Sequence, residues 1–192
     1  MGCTSSRSLN EKGVKKLLLS LPPATHGEEK VLDIVEKIKN SHIENPFDLV
    51  ISQNGSTLCH WLALFAASNN EITRDRALCT LKQAIRNGAR TDIMNNDGLC
   101  PFNIILQDSL PKEYLCQGPE LLTCIDGLLK LRLSVDEKSV ELLQEVGNSS
   151  YIVRTSDLYK SIFKRVKDLV ETKDIAEEES KQDVATDSQI AR

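Results

Sequence analysis

The chain has 192 residues, 40% of them hydrophobic and only 4% aromatic, with a formal net charge of −4. That length suits one domain with tails, and the apolar content supports a core. The acidic balance argues against a general nucleic-acid binder. No apolar run reaches spanning length and no secretory leader is evident, so neither a membrane-spanning nor an exported chain is expected.

In chain order, residues 1–10 are small and polar and read as a flexible leader. Glu11 to Leu21 predicts a short helix, stopped by Pro22-Pro23. Glu28 to Asn40 places Val31, Leu32, Val35 and Ile38 on one helical face. Asn54-Gly55 turns the chain into a helical pair, Thr57 to Ala67 and Arg76 to Arg86. Gly88 suits a left-handed helix stop, and Asn96-Asp97-Gly98 is turn chemistry. A second pair follows, Pro101 to Leu110 and Glu120 to Leu131. Ser139 to Val146 reads as another short helix. Ser156 then caps an amphipathic helix whose apolar stripe is Leu158, Ile162, Phe163, Val166, Leu169 and Val170. From Glu171 onward seven acids oppose three bases and few large apolar residues remain. This stretch is expected to be disordered, because it buries too little surface to offset chain entropy.

Two spacings organise these elements. Gly55 and Gly98 lie 43 residues apart, and the nine residues from each align position for position. Gly88-Ala89-Arg90-Thr91-Asp92 is echoed 44 residues later by Arg132-Leu133-Ser134-Val135-Asp136. A fixed step of this size marks stacked supersecondary units. The residues resemble degenerate ankyrin repeats, which carry Gly-x-Thr-Pro-Leu-His-x-Ala and a second helix ending Leu-Leu-x-x-Gly-Ala-Asp-x-Asn. Thr57, His60 and Ala63 match in the first copy; Gly98, Pro101, Gly88, Ala89 and Asp92 match around the second. Leu58, Cys59 and Asn103 depart from the pattern, and each copy exceeds the usual length of about 33 residues. The excess falls at Asn69 to Asp75 and at Asp108 to Gly118, between the helices of each pair.

The resemblance implies an all-α fold: a short ankyrin-like stack of helical hairpins with capping helices at both ends. The expected organisation is a lipidation leader (1–10), an N-terminal helical cap (11–51), repeats (52–137), C-terminal capping helices (138–172) and an acidic tail (173–192). It also implies a monomeric, non-catalytic module that binds a protein partner through its turns. The positions carried over are Gln53, Asn54 and Ser56 on the first turn, and Met94, Asn96, Asp97 and Leu99 on the second. Met94 and Leu99 are expected to be exposed apolar anchors.

Both ends carry further signals. Met1-Gly2-Cys3-Thr4-Ser5-Ser6-Arg7 fits N-myristoylation at Gly2. Cys3 beside it resembles the dual-acyl start of G-protein alpha subunits and Src-type kinases, with palmitate on Cys3. Two acyl chains anchor durably where one does so marginally. Glu177-Glu178-Glu179 near the C-terminus resembles the glutamate-rich signal of type IV (Dot/Icm) secreted effectors. Together these imply a bacterial effector on the cytosolic face of a host membrane. A soluble eukaryotic ankyrin-like scaffold is the alternative.

A cysteine hydrolase using Cys59 or Cys100 is a third reading. Adjacent Cys59 and His60 would point about 100° apart on a helix, which favours a structural His60 between repeats. Cys59, Cys79 and Cys124 sit among apolar residues and are expected to pack as small hydrophobes. His26, His42, Cys116 and Cys124 lack paired ligand spacing, so no metal or other cofactor is expected. Trp61 is expected in the core. Lys160, Lys164 and Lys167 form a basic stripe read as a solvated face.

Overall fold

The computed structural model describes residues 12–14, 16, 28–39, 45–107 and 116–190; of 28, 29, 39 and 174–190 it describes the backbone alone. Gly2, Cys3, His26 and His42 lie outside the described residues, as does most of the helix expected over Glu11 to Leu21. The helices are α1 (Glu28–Lys39), α2 (Leu58–Phe65), α3 (Glu71–Arg86), α4 (Gly118–Lys130), α5 (Glu137–Ser149), α6 (Tyr151–Thr155) and α7 (Asp157–Ile190). Short 3-10 turns occupy Pro46–Asp48 and Asn103–Leu106. Among the described residues, β-pairing is limited to one isolated antiparallel bridge between Val50 and Thr57. The architecture is all-α. It forms two compact units that meet in sequence at Ser134 and Val135.

The first unit is built around α2. Its eight residues are all buried, as expected for a helix that is apolar on every side. Both 3-10 turns and α3 pack against it. Trp61 meets Phe65 edge-on at 6.2 Å, inside this core. α1 buries Val31, Leu32, Ile34, Val35 and Ile38, and packs on α3. The α1–α3 contact is rimmed by Arg76, whose guanidinium reaches Asp33 at 2.9 Å and Glu36 at 3.3 Å.

Asn70 caps α3 by accepting the Thr73 N–H at 3.1 Å. The segment Asn69 to Asp75 is therefore mostly an extra first turn of α3 and not a loop between helices. At its other end, Gly88 has φ +88°, and the N–H groups of Gly88 and Ala89 return to Ile85 and Ala84, a Schellman stop. Cys79 lies on the solvent side of α3 and is exposed, contrary to the expectation that it packs in the core. Cys59 and Cys124 are buried.

The helix expected from Pro101 to Leu110 is replaced by one 3-10 turn, and Gln107 is already extended. Asp108 and Ser109 compete with the helical backbone through their side chains, and Pro111 disfavours the helical region at Leu110.

The second unit consists of α5, α6 and α7, which pack on one another. Asp136 caps α5 and exchanges hydrogen bonds with Ser139 in a capping box. Tyr159 crosses onto α5, where its hydroxyl donates to the Leu143 carbonyl at 3.0 Å. Ile162, Val166 and Val170 complete the buried stripe of α7, while Lys160, Lys164 and Lys167 are exposed. α7 runs on to Ile190, so the backbone of the acidic segment is helical where disorder was expected. Residues 171–190 contain no Gly or Pro and are rich in Glu, Ala, Lys and Gln, all good helix formers.

Candidate functional site

Two exposed turns, 51–56 and 94–99, carry the residues singled out from the sequence. They repeat one another bond for bond. In the first, Ser52 Oγ accepts the Ser56 N–H at 2.9 Å, and the Ser52 carbonyl accepts the Gly55 N–H at 3.1 Å. In the second, Asn95 Oδ1 accepts the Leu99 N–H at 3.0 Å, and the Asn95 carbonyl accepts the Gly98 N–H at 3.0 Å. Gly55 and Gly98 both hold positive φ, +77° and +70°, which the turn needs and L-residues resist.

The turns are joined to each other. The Asn96 N–H donates to the Asn54 carbonyl at 2.8 Å, and its side-chain amide donates to the Gln53 carbonyl at 3.1 Å. Asn95 Nδ2 reaches Ser56 Oγ at 3.3 Å. Beneath them stands His60. Its Nδ1 accepts the Thr57 N–H at 3.1 Å, while Nε2 lies 2.9 Å from the Leu99 carbonyl. Only the neutral ring with its proton on Nε2 serves both neighbours. Burial lowers the pKa of His60 and so favours that form, with the Leu99 bond acting in the opposite sense.

A second set of links repeats at the same interval. Asp48 Oδ1 accepts the Arg90 N–H at 2.8 Å, and Thr91 Oγ1 accepts the Ser134 N–H at 3.0 Å. The left-handed residues that precede these acceptors and donors are Asn45, Gly88 and Arg132.

The expected partner-facing residues therefore divide. Gln53, Asn54, Met94, Asn96 and Asp97 are exposed. Ser56 and Leu99 are not: they retain 1% and 2% exposure, and the two named as surface contacts are corrected to core positions. Ser56 turns inward to receive Asn95. Leu99 follows the turn glycine, where its side chain enters the core while its carbonyl meets His60. Of the exposed five, Asn54 and Asn96 spend their polar groups on holding the turns together. Gln53, Met94 and Asp97 point their side chains outward. Val50, 61% exposed, adds an apolar side chain beside the first turn that the sequence reading missed. Its pairing with Thr57 was the available signal, since alternation along an extended segment sends neighbours to opposite sides.

The chemistry of the surroundings is quiet. Burial, with the Asp48 charge adding, pushes the Cys59 thiol up to about 12, so it is protonated at neutral pH. The His60 ring is committed to Thr57 and Leu99. Among the described residues no group of three or more His, Cys, Asp or Glu is placed to hold a metal ion. Comparison of the chain with family models, curated proteins and solved structures gave no match. No helix among the described residues is long and apolar enough to cross a membrane.

Proposed function

We propose that the chain is a non-catalytic protein-binding module of ankyrin-like repeats. The observation that carries this reading is the recurrence of the same hydrogen bonds between successive turns, Asp48 to Arg90 and Thr91 to Ser134, at a step of 42 to 43 residues. Units coupled to neighbours in this way form an extended ridge, and such ridges bind proteins. Gln53, Met94 and Asp97 on the stapled turns are the contact residues, with Met94 the apolar anchor at 54% exposure. The rigid turns lower the ordering cost on binding.

The module is tethered to the cytosolic face of a membrane by myristate on Gly2 and palmitate on Cys3, and acts in a host cell as a secreted bacterial effector. The N-terminal sequence and the Glu177-Glu178-Glu179 segment support these two parts of the reading. Tethering raises the effective concentration at the membrane, which compensates for a small contact surface.

The decisive experiment is proximity crosslinking in cells with a photoreactive residue at position 94, compared with the same probe at exposed Lys138 in the second unit. A partner crosslinked at 94 and lost on Gln53→Arg supports the reading. Equal capture at both positions, or none at 94, removes it.

A further inference from the structure

Outside the turns, the first unit holds a pair of thiols in direct contact. Cys116 precedes α4, and Cys124 lies on its second turn. Both are buried and reduced. The Cys116 thiol donates to the Ser68 carbonyl at 3.1 Å. Its sulfur receives Arg74 Nη1 at 3.2 Å and is hydrogen-bonded to the Cys124 thiol. The Cys116 N–H donates to the Ala67 carbonyl at 2.8 Å, which fixes the backbone at this point.

We propose that Cys116 and Cys124 are an oxidative modification site, closing to an internal disulfide when a hydroperoxide reacts at Cys116. In the first step the Cys116 sulfur attacks the terminal peroxide oxygen. The O–O bond breaks, a sulfenic acid forms, and the departing oxygen takes the thiol proton to leave as water or an alcohol. In the second step the Cys124 sulfur attacks the sulfenic sulfur. The S–S bond forms, and the sulfenic hydroxyl leaves with the Cys124 proton as water. The two thiols lose two electrons and the peroxide gains them.

Three features favour closure. The sulfurs are already neighbours, so little backbone movement is required to approach bonding distance. Arg74 stands beside the sulfur that reacts first, where a cation assists developing thiolate. Loss of both thiol protons leaves no buried acceptor stranded, because Arg74 Nη1 also donates to the Ser68 carbonyl at 3.2 Å. Burial, followed by the charge of Cys116, pushes the Cys124 thiol up to about 12, which assigns Cys116 as the first to react. The inference is independent of the repeat reading.

The test is peroxide treatment of the full chain, alkylation of remaining thiols and peptide mass mapping. The expected product is a peptide pair joining Cys116 to Cys124, lighter by about 2 Da and restored by dithiothreitol. Exposed Cys79 serves as an internal control and yields no link to either. In Cys124→Ser the sulfenic acid at Cys116 persists and is trapped by dimedone. In Arg74→Gln the link forms several-fold more slowly, while Cys79 oxidation is unchanged. Recovery of both thiols intact under conditions that oxidise Cys79, or linkage of Cys116 to a different cysteine, overturns the proposal. The mapping on the unsubstituted chain decides this even where a variant fails to fold.

Discussion

Asp48 and Thr91 perform the same task one repeat interval apart: each accepts a backbone N–H from the strand-like segment that follows the next helical stop, at Arg90 and at Ser134. Thr91 is nearly buried, so the Ser134 N–H has little access to replacement water. Thr91→Val keeps the shape and removes the acceptor, and should cost about 1–2 kcal/mol. Asp48→Asn keeps an acceptor and should cost less. Urea midpoints of the two variants give the comparison; an equal loss would show that the repeated bond is not what stabilises these segments.

His60 makes stability depend on pH. Its folded pKa is depressed, so the folded state binds fewer protons than the unfolded one below neutrality. The contribution is complete above the ordinary histidine value of about 6.5 and is lost as pH falls from there through the folded pKa. Protonation would put a hydrogen on Nδ1 against the Thr57 N–H. The wild-type urea midpoint should drop more between pH 7.5 and 5.5 than that of His60→Gln, taking these as conditions about one unit either side of that value. Parallel slopes in the two proteins would remove His60 as the cause.

Gly55 and Gly98 separate two costs that usually occur together. Both hold positive φ, so alanine pays a similar backbone penalty of about 1 kcal/mol at either. At Gly98 a Cβ meets nothing within 4 Å, whereas at Gly55 it falls 2.6 Å from Asn96 Oδ1 and pushes on the inter-turn staple. Gly55→Ala should therefore destabilise more than Gly98→Ala, with the hydrogen exchange of the Asn96 amide accelerated only in the former. Equal effects would mean that the staple yields without loss.

Gly147 and Gly127 test close approach inside helices. A Cβ on Gly147 would collide with the Tyr159 hydroxyl and ring, while one on Gly127 meets nothing. Gly127→Ala should stabilise by about 0.5–1 kcal/mol through helix propensity alone. Gly147→Ala should destabilise the second unit despite the same gain, and Tyr159→Phe should relieve part of that loss. Thermal melts of the four proteins decide the order.

The proposed anchor has a direct check. In eukaryotic cells a myristate analogue should label the wild-type chain and not Gly2→Ala, and Cys3→Ser should retain the label while leaving membranes more readily. Equal labelling of wild type and Gly2→Ala would end the anchor proposal. Deletion of residues 173–192 should abolish a translocation reporter; unchanged export would end the secretion proposal.

The helical character, the caps and the 43-residue interval were legible in the sequence, because each rests on local chemistry. Asn70 and Asp136 bond within their own first turns, Gly88 stops its own helix, and the Ile162, Val166 and Val170 spacing marks one face whatever it packs on. Burial at the turns was not legible. Ser56, Leu99 and Cys79 look alike to a pattern reader, yet two point inward and one outward, and that depends on where another segment arrives from about forty residues away. The contact of Cys116 with Cys124 and Arg74 is of the same kind, since it joins three elements by side chains alone. Local propensity travels with the chain; exposure and proximity exist only once distant segments share a core.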